Sequence, residues 1–327
     1  MHHVKTEDGW TLELVRYKPE GPVRGRPVLM CAGISANARN MDLDDTHSLA
    51  RWFAAHGHEA WTMNYRGSGG SDMPDSSAGR ATGYDFDVYW MYDLPAAISE
   101  VRRVTMAEDI DYVGHSMGGM IMYAYLSQGG PYIHAASTLG SPTRLDWGTG
   151  LESLMGIGGA VLPNKWMIPS DLGSHMSVPM QGMIDDGPFQ RFFYNPENST
   201  LESWQRLMAY GVAGVSTGVA QQLLNVVKTT NFCSADGKKD FRKAMHEIKT
   251  PILVVGARLD RIALTPAVYD GYRALGGEKK WLLVSRANGA RAEYGHMDLV
   301  IGEYAPEDVW SKVDDFFDAH ESAAAAR

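Results

Sequence analysis

The chain has 327 residues, 44% of them apolar and 21% charged, with 30 Lys plus Arg against 39 Asp plus Glu for a formal net charge of −9. This balance excludes disorder, collagen and a coiled coil for the whole chain, and with no basic run it argues against nucleic acid and anionic membrane surfaces as partners. The length suits one large α/β domain with an insertion better than two full domains.

In chain order, residues 10–17 read as a strand and 27–31 as a short buried strand ended by Gly33. Residues 48–55 read as a helix closed by Gly57, and 59–65 as the next strand, running into a Gly-rich turn at 66–72. A long helix is expected over 84–104, a strand at 110–113, a helix at 117–128 stopped by Gly129-Gly130-Pro131, and a strand at 132–139. The alternation predicts an α/β fold, a mostly parallel central sheet with crossover helices on both faces. From Pro142 to Lys249 the rhythm gives way to a stretch rich in Gly, Met and Pro with no convincing strand. It resumes with a strand at 251–255, a helix at 266–275, a strand at 280–284 and a terminal helix at 306–320. Neither half supplies enough strands to close a core alone. The expected organisation is therefore one core domain, residues 1–141 and 250–327, interrupted by a helical cap, residues 142–249.

Cys31 and Cys233 are too few and too far apart for a disulfide scaffold and read as free thiols. The first residues hold no apolar leader core, and no run of roughly 18 apolar residues occurs, so the expectation is a cytoplasmic protein without integral membrane association.

Serine becomes a nucleophile when a sharp strand-to-helix turn lifts its hydroxyl clear of the sheet, a base removes its proton and backbone donors await the oxyanion. Gly114-His115-Ser116-Met117-Gly118 places Ser116 in such a turn, between an apolar strand and a helix. The same pentapeptide pattern recurs at Gly214-Val215-Ser216-Thr217-Gly218. There the flanks look helical on both sides with no strand leading in, and Gly211, Gly214 and Gly218 are spaced like a small-residue helix face. Ser116 is the expected nucleophile and Ser216 a structural residue.

The base belongs on a loop after the last strand, where His296 stands. His115 adjoins the nucleophile but is expected to pack beside the sheet, since neighbouring side chains diverge at a sharp turn. His56 and His58 look like a metal pair only superficially, because nothing nearby in sequence completes a ligand set. Asp260, just past the strand at 251–255, is the carboxylate expected to orient the imidazole, with Asp146 as the alternative. Asp298 is too close to His296 in sequence to reach its ring and is expected to cap or brace the loop. The oxyanion donors are expected to be the backbone N–H groups of Met117 and Ile34.

With Ser116, Asp260 and His296 in that chain order, the sequence resembles the α/β-hydrolase superfamily over nearly its whole length. Asn64-Tyr65-Arg66-Gly67-Ser68-Gly69-Gly70-Ser71-Asp72 is similar to the superfamily's R-G-x-G-x-S turn, and Gly114 to Gly119 to its commonest nucleophile elbow. His296-Met297-Asp298-Leu299, followed by Gly302 and Ala305-Pro306, resembles the acid-lipase branch of lid-bearing esterases and lipases. Ala32-Gly33 departs from the His-Gly that often precedes the oxyanion loop. The resemblance implies an α/β-hydrolase fold with a cap whose methionines and aromatics, among them Met155, Trp166, Met167, Met176, Met180, Met183, Phe189, Phe192, Phe193, Trp204 and Met208, line an apolar pocket.

The expected function is a serine carboxylic ester hydrolase acting on small-molecule esters of apolar acyl or aromatic groups, with no cofactor and no metal. A lactonase, thioesterase or C–C bond hydrolase would use the same triad, and a non-catalytic ligand-binding protein would keep the fold. Oligomeric state leaves no mark in the sequence.

Overall fold

The structure is a computed structural model that describes residues 1–145, 166–181 and 190–325. Expectations for Asp146, Met155, Met183 and Phe189 lie outside the described residues, as does the side chain of Met180. The first half of the core contains β1 (His2–Lys5), β2 (Thr11–Tyr17), β3 (Val28–Cys31), α1 (Leu49–Ala55), β4 (Ala60–Met63), α2 (Leu94–Thr105), β5 (Ile110–His115), α3 (Met117–Ser127) and β6 (Ile133–Leu139). Next come β7 (Met167–Ile168), α4 (Ser170–Gln181), α5 (Gln190–Phe193), α6 (Leu201–Tyr210), β8 (Val215–Ser216), α7 (Thr217–Thr229) and α8 (Phe241–Ala244). The chain closes with β9 (Ile252–Ala257), α9 (Thr265–Ala274), β10 (Lys279–Val284), α10 (Asp298–Ile301) and α11 (Ser311–Ala325).

Eight strands form one sheet in the order β1-β2-β4-β3-β5-β6-β9-β10. The β1–β2 and β2–β4 pairings are antiparallel and the rest parallel, so this is the α/β-hydrolase fold, with a predominantly parallel sheet. The central strands β3, β4 and β5 are buried on both faces, which explains the apolar run of β3 and the mostly apolar residues of its neighbours. Strand β1 was not expected: its four residues alternate half-buried and exposed and carry no apolar run.

Two apolar cores sandwich the sheet. One includes Leu94, Ile98 and Val101 of α2 together with Ile121 and Tyr123 of α3. The other joins Leu49 and Phe53 of α1 to Trp310 and to Phe317 of α11. Helix α3 is buried along its whole length, so it has no polar face to show. The helix expected over 84–104 begins later, with a wide π turn at Tyr89–Asp93 before α2. Pro95 in its first turn has no N–H to donate, which leaves the preceding turn free to widen.

The stretch expected to lack strands contains a minimal ladder, β7 against β8, pairing Met167 with Ser216 and Ile168 with Val215. Two residues per strand are too few to leave a period in the sequence. Further on, Phe232, Phe241 and Met245 join the first core. Cys31 and Cys233 are free, and among the described residues no helix is long and apolar enough to cross a membrane.

Candidate active site

Parallel β5 ends at His115 and α3 begins at Met117, which leaves Ser116 alone to turn the chain. It does so at φ 53°, ψ −118°, a left-handed backbone costing a non-glycine residue on the order of 1–3 kcal/mol. The flanking glycines make the turn possible. A Cβ on Gly114 would lie 2.5 Å from the Gly119 nitrogen, and one on Gly118 would lie 2.2 Å from the Cys31 carbonyl oxygen.

Ser216 follows the same pattern and, contrary to expectation, does stand between a strand and a helix, β8 and α7. Its backbone is relaxed at φ −61°, and its hydroxyl is turned inward to the Tyr84 carbonyl (2.5 Å). It is fully buried and caps α7 at the Gly218 N–H. The helix face expected from Gly211, Gly214 and Gly218 is not formed: Gly211 ends α6, Gly214 precedes β8, and Gly218 packs against the Tyr84 carbonyl.

His296 lies on the loop between β10 and α10, and its Nδ1–H donates to Asp260 Oδ2 at 2.7 Å. Asp260 follows β9. Its other oxygen accepts the Ile262 and Ala263 N–H groups (2.8 and 2.7 Å), and the Leu259 N–H donates to the Tyr294 carbonyl (2.8 Å), joining the two loops. With Nδ1 committed as a donor, Nε2 of His296 is left as the bare, basic nitrogen. His115 is not merely beside the sheet. Its ring centroid is 4.6 Å from that of His296 and its Nε2–H donates to the His296 carbonyl (3.1 Å). Burial, and then the neighbouring His296, push the His115 imidazole well below its usual range, so it stays neutral.

Ser116 and His296 share a cavity of about 490 Å³, into which Gly33, Ile34 and His115 also face. One wall is apolar: Phe193, Trp204, Leu207, Met208, Ile262 and Met297. Beside it α4 contributes Ser170, Gly173, Ser174 and Ser177. Of the pocket residues expected from the sequence, Phe193, Trp204 and Met208 line it, whereas Trp166 and Met176 are exposed and Met167 sits in the two-stranded ladder. Leu207, Ile262 and Met297 were missed. Leu207 shares α6 with Trp204, so a helical wheel would have found it, while the other two adjoin Asp260 and His296 in sequence.

The Met117 N–H opens α3 and has no carbonyl in its own helix to bond. Ile34 lies in the turn after β3, beside Gly33, whose Cα faces Ser116 so closely that a Cβ there would be 3.1 Å from the serine's. Among the described residues neither N–H donates to another backbone carbonyl. The turn is held by the segment before β8: Asn37 N–H donates to the Gly211 carbonyl and Ala213 N–H to the Ser35 carbonyl, both at 3.0 Å.

His56 and His58 diverge. His56 stacks on Trp52, and buried His58 donates to Asp314 (2.7 Å). His58, Asp314 and Asp318 are close enough to share an ion, but the Arg24 guanidinium already bonds both carboxylates, at 2.6 and 2.8 Å.

Residues 26–167 match the family model for the α/β hydrolase fold. The chain is 26% identical to lipase lipl-1 of Caenorhabditis elegans, over 96% of this chain and 87% of that lipase. It is 36% identical to gastric triacylglycerol lipase of Rattus norvegicus over 38% of this chain and 34% of that enzyme. A thermophilic esterase from Thermogutta terrifontis shares the fold, with a TM-score of 0.61 at 15% identity over 98% of both chains.

Proposed function

We propose that this chain, an α/β hydrolase of the esterase and lipase type, is a serine hydrolase that cleaves small-molecule carboxylic esters of apolar acyl or aromatic groups through an acyl-enzyme on Ser116. The observation that carries the reading is one cavity containing a strained serine, a histidine already oriented by a buried aspartate, and an apolar wall.

In this mechanism Ser116 Oγ attacks the ester carbonyl while His296 Nε2 takes the hydroxyl proton. Asp260 holds the Nδ1–H and stabilises the imidazolium that forms. The carbonyl oxygen, now negative, is received by the Met117 and Ile34 N–H groups, each contributing on the order of 3 kcal/mol to the transition state. Collapse breaks the bond to the alcohol, which leaves with the proton from His296. A water then repeats the sequence against the acyl-enzyme, releasing the acid and restoring Ser116. No step requires a cofactor or metal. The apolar wall favours acyl or aromatic groups over sugars or peptides.

A p-nitrophenyl ester series from two to sixteen carbons tests this. The wild type is expected to turn over a defined range of chain lengths, and Ser116→Ala to lose that turnover by at least about 10⁴-fold while melting as a folded protein. Equal turnover in the two proteins overturns the reading.

A further inference from the structure

Asp298 opens α10, two residues beyond His296, and is fully buried. Its carboxylate is the centre of a polar web. Oδ2 accepts the N–H groups of Gly295 (2.6 Å) and Asn195 (2.8 Å), and Oδ1 accepts the Ser199 hydroxyl (2.5 Å). Around it the same two stretches exchange four more bonds. Met297 N–H donates to the Phe193 carbonyl (2.9 Å), Asn195 Nδ2 to the Glu293 carbonyl (2.8 Å), Glu303 N–H to the Asn198 carbonyl (2.7 Å) and Tyr304 N–H to Asn198 Oδ1 (3.3 Å). The catalytic-loop residue next to His296 is thus tied to a strap, residues 193–199, that comes from the far side of the sequence and carries Phe193 in the cavity wall.

We propose that Asp298 is a positioning residue: its ionised carboxylate fixes the backbone on either side of His296 and fastens that loop to the strap, so the imidazole is held in register with Ser116. The inference rests on the reading of His296 as the base. The ionised form suits the site because it accepts from all three partners at once: the Gly295 and Asn195 N–H groups can only donate, and a protonated carboxyl would keep an acceptor only if the Ser199 hydroxyl turned round and gave up its own bond. The titratable groups that act on the carboxylate are Asp260 and Tyr294, whose hydroxyl donates to Asp308 (3.0 Å), while the ring of His296, two residues before it, bonds Asp260 instead. The strap offers Asn195, Asn198 and Ser199, all uncharged, while its Glu197 pairs with Arg286. With no cation among these groups, burial pushes the Asp298 carboxyl up to about 6, against the lowering effect of Ser199, Gly295 and Asn195.

The test is the pH profile of kcat/KM for a p-nitrophenyl ester, with fluorophosphonate labelling of Ser116 followed in parallel. Protonation of Asp298 is expected to slow the wild type to about the level of Asp298→Asn, on top of the loss of the base, so log kcat/KM falls on the acid side more steeply than the slope of one that a single protonation gives. Asp298→Asn is expected to lower kcat on the order of 10- to 100-fold with a smaller change in KM, and to leave a slope of one. Ser199→Ala, which keeps the backbone donors, is expected to move the second protonation to higher pH with little change in the plateau. If Asp298→Asn fails to fold, the Ser199→Ala shift decides alone. A wild type that labels and turns over, but with a slope of one and a profile unmoved by Ser199→Ala, overturns the positioning role and leaves the proposed function standing. A wild type that neither labels nor turns over overturns the proposed function itself.

Discussion

Ser116 and Ser216 share a five-residue pattern and differ in the sign of one backbone angle, φ 53° against −61°. That sign decides which hydroxyl reaches a cavity and which is spent on a carbonyl. Ser216→Ala, which removes the bond to Tyr84 and the cap of α7, is expected to cost about 1–3 kcal/mol in chemical denaturation and to leave ester turnover within a few-fold of wild type. Asp260→Asn is expected to do the reverse: turnover falls about 10⁴-fold with the fold retained, because the imidazole loses its tautomer. Spacing and chain order were enough to bring Ser116, Asp260 and His296 together from sequence, since strand ends in a parallel sheet converge on one rim. What stayed hidden was contact across long chain separation. Nothing around Asp298 announces Asn195 or Ser199, and nothing around His115 announces that it touches His296.

Among elements, those with many residues on one face were legible and the shortest were not. Strands β3 to β6, β9 and β10 and the helices between them declare themselves by apolar runs and by Gly or Pro stops. Strand β1 and the β7–β8 ladder do not, because runs of two to four residues are too short to show a period. Helix α4 is legible only in the structure, where it turns Ser170, Gly173, Ser174 and Ser177 toward the cavity. A Cβ on Gly173 would meet nothing within 4 Å, so Gly173→Leu is expected to project into the cavity without disturbing the helix. Replacing a mid-helix glycine also favours the helix by up to about 1 kcal/mol. The variant should melt no lower than wild type, and its preference among p-nitrophenyl esters should move toward shorter chains. An unchanged chain-length profile would place the acyl group elsewhere.

Across the whole molecule, the stretch between β6 and β9 bonds two loops at the cavity: Gly211 and Ala213 bond the turn that carries Ile34, and Phe193 to Ser199 bond the loop that carries His296. This double fastening left no signal in the sequence. It separates activity from stability in acid. Asp298, whose carboxyl is raised in the folded state, adds stability as the pH falls from about 6 to 4, even as its protonation is expected to slow turnover. Asp44, Asp42 and Asp314 act the other way. Burial raises each, but it is outweighed by His47 and Thr46 at Asp44, by Arg51, Tyr17 and Ser48 at Asp42, and by His58 and Arg24 at Asp314. Their contribution is complete above about pH 4 and is withdrawn as the pH falls toward the Asp44 value of about 2. Activity is therefore expected to fall on the order of 10-fold or more as the pH drops below about 6 and to return on neutralisation, with near-ultraviolet circular dichroism unchanged throughout. Proposed acyl-enzyme formation at the Ser116 hydroxyl is open to intact-mass analysis after fluorophosphonate treatment, with peptide mapping of the adduct. A single adduct on Ser116 and none in Ser116→Ala is expected; an adduct on Ser216, or an unmodified wild type that still hydrolyses esters, would overturn the assignment.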